Sequence, residues 1–124
     1  MRIIIPSDVF PPTGKGGAAW SSHTLARALL ARGHAVTAVV PVRGQRGVSA
    51  CDALGVPALQ VGYPAPAIPI VQNYFRHEAL WRPLARVIVA EARRGPLPTA
   101  IHAQHVQVAP AAVLAGRELG TPVV

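Results

Sequence analysis

Two short stretches hold most of the residues whose types and spacing could do chemistry. Lys15-Gly16-Gly17 closes a loop rich in glycine and proline, Pro11-Pro12-Thr13-Gly14-Lys15-Gly16-Gly17, just ahead of a run with helical spacing. Glycine there adopts backbone angles that other residues resist and leaves amide NH groups uncovered. At a helix N-terminus those NH groups and the helix dipole attract an anion together, and a lysine beside them adds a point charge, so the chemistry implied is phosphate binding. The bland alternative is a Gly/Pro turn with a solvated lysine. Asp8 lies in the same loop, just past an apolar run, where a carboxylate caps a loop or accepts from a substrate hydroxyl; capping is the better-supported role. His102 and His105 flank the end of another short apolar run. There imidazole can move a proton near neutral pH or hydrogen-bond a loop. A metal would need a third ligand, and none clusters with these two histidines in the sequence. The lone cysteine, Cys51, has no partner nearby and reads as a small packing or loop residue. His23 and His34 read as structural.

The elements that must position these residues alternate in type. Arg2 to Ile5 is a β-branched run of the kind buried on both faces of a sheet, and the loop from Ser7 to Gly17 follows it. Ala18 to Arg32 is helical, with Leu25, Ala26, Leu29 and Leu30 on one face; Gly33 suits its C-terminus, and Ala35 to Pro41 holds a second buried strand. A right-handed β-α-β unit opens the glycine loop at the carboxyl edge of the sheet. Further along, Arg43 to Val48 reads as a loop, Ala50 to Leu54 as a helical turn, and Val56 to Val61 as a third strand. Prolines make Tyr63 to Pro69 extended or irregular. A long helix follows from about Asn73 to Arg94, which Pro83 should kink or divide and Arg94-Gly95-Pro96-Leu97-Pro98 should end. Ala100 to Ala103 is a fourth strand, Val108 to Leu119 a third helix, and Pro122 to Val124 the start of a fifth strand. The alternation implies one Rossmann-like α/β domain: three layers, α/β/α, around a mainly parallel sheet.

Composition narrows the function classes. The chain has 124 residues, 51% hydrophobic, enough for one modest core. It carries 12 Lys+Arg against 5 Asp+Glu, a formal charge of +7. That balance invites a nucleic-acid reading, but the arginines are spread from Arg2 to Arg117, Lys15 is the only lysine, and no helix-turn-helix, zinc finger or RNP motif is present. Nucleic acid is therefore not expected as a partner. Arg76, Arg82, Arg86, Arg93 and Arg94 with Trp81 form at most a minor basic face, compatible with peripheral contact with an anionic membrane surface. No apolar run approaches the roughly 20 residues of a membrane span, and the first residues are strand-like rather than leader-like. A reducing cytoplasm is the expected location. Two rival glycine motifs fail. Gly14 to Ala19 fits GxGxxA, but Ser7 to Thr13 intervene after the strand, and Arg43 stands where a ribose-binding acid would be needed. Lys15-Gly16-Gly17 starts a P-loop that lacks its Gly-Lys-Ser/Thr.

An ordered set of motifs also resembles a family. Ser7-Asp8-Val9-Phe10-Pro11-Pro12, then Gly16-Gly17, then Leu25-Ala26-Arg27-Ala28-Leu29 and Arg32-Gly33-His34-Ala35-Val36-Thr37 are similar to the opening of GT-B glycosyltransferases of the GT4 type, relatives of glycogen and sucrose synthases. Ile101-His102-Ala103-Gln104-His105 and Leu119-Gly120-Thr121-Pro122-Val123-Val124 continue the likeness. It implies the N-terminal, acceptor-side part of a retaining enzyme that moves a sugar from a nucleotide-sugar donor to an acceptor hydroxyl, with no cofactor and no metal. It implies donor-phosphate contacts from Lys15, Gly16 and Gly17. The family's "HxH" histidine falls on Gln104, or on His105 with a one-residue shift, so His102, Gln104 and His105 are the catalytic candidates. A second domain of the same chain would carry most of the donor site, and these 124 residues alone would be inactive. The alternative from another class is a non-catalytic module binding a phosphorylated small molecule or a partner at the same edge.

Overall fold

A computed structural model describes residues 1–64, 69–96 and 99–124, without the side chains of residues 69–78. The expectations at Pro66, Leu97 and Pro98, and for the Arg76 side chain, lie outside the described residues.

The chain folds in the order β1 (Arg2–Pro6), α1 (Gly17–Ala31), β2 (Ala35–Arg43), β3 (Val48–Asp52), β4 (Pro57–Tyr63), α2 (Pro69–Ala92), β5 (Thr99–Ile101) and α3 (Ala109–Leu119). The strands form one sheet in the order β3-β4-β2-β1-β5. β1 pairs in parallel with β2 and β5, and β2 with β4; β3 alone runs antiparallel, against β4. Successive strand residues face opposite sides, and both sides are buried. Ile3 and Ile5 pack with Val36, Ala38 and Val40 against Ala26 of α1, while Ile4 and Val39 pack with Leu80, Leu84 and Ile88 of α2 and Ala111, Ala112 and Ala115 of α3. This is the Rossmann-like α/β/α sandwich that the alternating pattern implies.

The helix-ending glycine takes the expected role. Gly33 has φ +86°, its NH bonds Leu30 O at 3.0 Å and the His34 NH bonds Leu29 O at 3.2 Å. Those two bonds are the Schellman pattern that turns α1 into β2. The buried stripe of α1 starts earlier than the leucines suggest, at Ala19, Ser22, His23 and Ala26, and Leu29 and Leu30 are only partly buried against it.

Several elements differ from the sequence reading: α2 begins at Pro69, ahead of the expected Asn73, and Pro122 to Val124 makes only an isolated bridge, Ile101 to Val123, in place of a fifth strand. β2 runs two residues beyond Pro41. Ser7 NH bonds Val39 O, so alternate residues Val39 and Pro41 face β1; β1 ends at Pro6, opposite Val39, and the missing proline NH forfeits no ladder bond. α2 passes through Pro83 as one helix, because Leu80, Leu84 and Ile88 on either side are all buried in one core cluster, and tertiary burial outweighs a helix-interior proline. Finally, residues 48–52 are a strand, not a helical turn.

That strand closes a hairpin. Ala53 and Val56 exchange both backbone hydrogen bonds, at 2.8 and 3.2 Å, and the two residues between them, Leu54 and Gly55, have φ +51° and +86°. This is the two-residue turn with both central residues left-handed, which favours Asn-Gly. Leucine at its first position hides the signal and carries strain. Leu54→Asn is expected to stabilise the domain by about 1 kcal/mol, raising Tm by roughly 3–6 °C; an unchanged or lower Tm in a thermal melt would contradict this turn geometry.

Candidate functional site

From β1 the chain steps through β2 to β4 in one direction, then α2 carries it back to β5 on the other side of β1. The reversal leaves a crevice outside the carboxyl ends of β1 and β5, the place where open α/β sheets bind ligands. The backbone brings its walls together. His102 NH donates to Ile4 O at 2.9 Å and Gln104 NH to Pro6 O at 2.8 Å, and Ser7 and Gln104 form a parallel bridge. Asp8 and His105 are thus the next residues on adjacent strand ends.

The glycine loop is anchored before it is open. Ser7, fully buried, donates to Val9 O at 2.7 Å and lies 3.2 Å from Ser22 Oγ in α1. Phe10 sinks into the α1-side core with its ring centroid 5.6 Å from that of His23. Its carbonyl accepts from Gly14 NH at 2.8 Å. A Cβ on Gly14 would stand 2.7 Å from Phe10 N, so Gly14 is the glycine this pinch requires. Beyond it Lys15, Gly16 and Gly17 are exposed. Gly16 is the residue before the first helical turn, with φ +93° and ψ 174°, and α1 has neither a side-chain cap nor an acidic residue in its first turn. The first NH groups of α1 are therefore available to an anion.

At the β5 end, His105 has φ +75°, a backbone state uncommon outside glycine. Among the described residues its buried Nδ1 has no hydrogen-bond partner, nor does the buried Gln107 Oε1. Strain together with an unsatisfied buried nitrogen is typical of residues held for a ligand. His102 and Gln104 are half-buried. His23, by contrast, is structural: its Nε2 lies 3.1 Å from both Ala53 O and Leu54 O. Both are acceptors, so Nε2 carries the proton and ties α1 to the hairpin turn.

Beside the crevice, on the α1 side of the sheet, lies a cavity of about 330 Å³. Asp8 lines it; Lys15, His102 and His105 do not. Its other polar walls are Thr13, Arg43, Gln45 and Gln60, of which sequence reasoning gave none a ligand role. Arg43 reaches the wall because β2 continues past Pro41. Val9 O is tied by Ser7 and Phe10 O by Thr13 Oγ1 at 3.4 Å, so Ser7 and Thr13 brace the turns that follow β1.

Two of the arginines of the basic face, just past the end of α2, are paired with acids. Arg93 pairs with Glu118 and Arg94 with Glu91, each at 3.2 Å, and Trp81 packs partly against the core. Glu91 also accepts from Thr37 Oγ1 at 2.8 Å, and its carbonyl from Arg2 at 2.7 Å, which locks α2 to the amino edge of β1 and β2. Cys51 is exposed on the edge strand β3. Among the described residues no three His, Cys, Asp or Glu side chains group to hold a metal, and no helix is long and apolar enough to cross a membrane. The profile of the glycosyl transferase 4-like domain matches residues 16–124. No curated protein matches the chain significantly.

Proposed function

The chain belongs to the glycosyl transferase 4-like domain family, and on that premise we propose that it is the acceptor-side, N-terminal part of a retaining enzyme that moves a sugar from a nucleotide-sugar donor to an acceptor hydroxyl. The observation that carries the reading is the pairing at the topological switch point. An uncapped helix N-terminus opens from the β1 loop, and His105, strained and with an unsatisfied Nδ1, stands on the neighbouring strand end.

In this reading the donor diphosphate meets the backbone NH groups of Gly16, Gly17 and the first turn of α1, and Lys15 adds a mobile positive charge. Charge grows on that diphosphate as the sugar–phosphate bond breaks, so donors fixed in advance stabilise the transition state more than the ground state. The departing phosphate assists attack from the same face, and the acceptor hydroxyl approaches from the side of Asp8, His102, Gln104 and His105. These residues orient it and hold a proton near the reacting atoms. A second domain of the same polypeptide closes the cleft over the nucleotide. The reaction needs no cofactor, and the domain works in the cytoplasm or against the inner face of the membrane.

The test is transfer by the complete enzyme. Lys15→Ala is expected to lower kcat/KM about 10-fold or more, the scale of one hydrogen bond to a charged group, with Tm unchanged because Lys15 is exposed. Full activity in that variant would remove the lysine from the donor site.

A further inference from the structure

The far edge of the sheet is built differently from the crevice. β3 is the end strand, and all five of its residues, Val48 to Asp52, are exposed. The phase of its hydrogen bonding is fixed at both ends. Ala53 and Val56 exchange bonds past one end, and Gly62 NH donates to Gly47 O past the other. The register between them is unbroken, from Val48 opposite Val61 to Asp52 opposite Pro57. Bonding alternates along an antiparallel pair, so Ser49 and Cys51 bond β4 while Val48, Ala50 and Asp52 turn their NH and C=O groups outward. Pro57, which has no NH, accordingly sits opposite an outward residue. Edge strands are commonly blunted by lysine, proline or a bulge; β3 has none of these.

We propose that β3 is a self-association edge, on which a second copy of this chain adds its own β3 antiparallel about a two-fold axis at Ala50. That register uses the whole strand. Ala50 pairs with Ala50 of the second copy and Val48 with Asp52 of the second copy, and these outward residues exchange backbone bonds. Ser49 then faces Cys51 of the second copy at the non-bonded positions, where side chains are closest. Charge favours this occupant. Arg46, exposed and without an ion pair among the described residues, precedes the strand, and Asp52 ends it. Gly55 NH holds the Asp52 carboxylate in place through Oδ2 at 3.0 Å. Two-fold pairing sets each Arg46 diagonal to Asp52 of the other copy, within reach of a long side chain. A parallel partner would bring like charges together. An isologous contact also closes on itself. The crevice stays open, since β4 and β2 separate β3 from β1.

The experiment is sedimentation equilibrium of the chain across the micromolar range. The mass is expected to rise from 13.0 kDa toward twice that value. Ala50→Pro should hold it at the monomer with an unchanged far-ultraviolet spectrum, since the NH it removes bonds nothing in its own chain. Ser49→Cys reads the register at an exposed position and decides the matter if the proline variant does not fold. The Cys51 residues of the two copies stand roughly 7–8 Å apart on the diagonal, past disulfide reach, so mild oxidation should link the native chain slowly. Ser49→Cys brings a thiol opposite Cys51 of the second copy and should form the linked dimer about 10-fold faster or more. A monomer at every concentration would overturn the proposal and leave the edge to a strand of another protein. A dimer that survives in folded Ala50→Pro, or equal linking rates for the native and Ser49→Cys chains, would overturn it too. None of these readings involves sugar transfer, so their failure leaves the proposed function standing.

Discussion

Turnover by the complete enzyme should fall by about 10²–10³-fold when Gly16 becomes valine, the scale of losing one preorganised donor to developing negative charge. The structure separates the ways this could happen. A Cβ at Gly16 meets nothing within 4 Å, yet φ is +93°, so the substitution forces the backbone and costs about 1–3 kcal/mol. That is tolerable for a domain whose total stability is of order 5–15 kcal/mol, and the protein should still fold. Gly17 supplies the control. It also has open space and no left-handed angle, so Gly17→Ala should stabilise the chain by about 0.4–1 kcal/mol while still slowing transfer, because a methyl group intrudes where the phosphate must approach the backbone. Higher Tm with lower kcat/KM is a pair of signs that a merely structural glycine does not produce. Unchanged kcat in both variants would sink the phosphate role of this loop.

The largest expected loss of stability is at Gly62. A Cβ there would stand 2.4 Å from Gln45 O and 2.7 Å from Arg46 N, backbone atoms of the loop between β2 and β3. That loop is clipped down by Gly62 NH to Gly47 O at 2.8 Å and Gly44 NH to Tyr63 O at 3.0 Å. Backbone cannot swing aside as a side chain can, so Gly62→Ala should cost about 1–3 kcal/mol or more, read as a lower denaturation midpoint with an unchanged m value. It should also loosen the wall that holds Gln45. A midpoint within error of the original would mean that the loop rides higher than the structure places it.

Much of this architecture is legible in the residues because local and global preferences agree. Ile3-Ile4-Ile5 can only be a strand buried on both faces, and Gly33 ends α1 by the one geometry available to it. The failures have physical causes of their own. Leu54-Gly55 turns a hairpin without the usual turn residue, since hydrogen bonds from His23 and Arg27 hold the Leu54 carbonyl from another element. Pro41 and Pro83 look like breaks, but one faces an empty edge and the other lies in a helix pinned by its core face. Of the candidate site, the glycine loop and the histidine strand end are visible as local runs. The cavity is not, because Arg43, Gln45 and Gln60 meet Asp8 only after β2 and β4 pair in parallel, a long-range event that no spacing encodes.

The position of β5 has a consequence for how the protein comes to exist. Arg2 pairs with Thr99 and Ile4 with Ile101, and Ile101 in turn bridges to Val123. The first strand therefore waits for residues as distant as Thr99 to Ile101 before its second edge is covered, and contacts so distant in sequence form slowly. On a ribosome, a nascent chain can assemble β1, α1, β2 and the hairpin while that edge still offers bare backbone. The histidine side of the crevice is absent until β5 has been made, so substrate cannot template the earliest folding, and the bare edge is where a chaperone or a second nascent chain would attach.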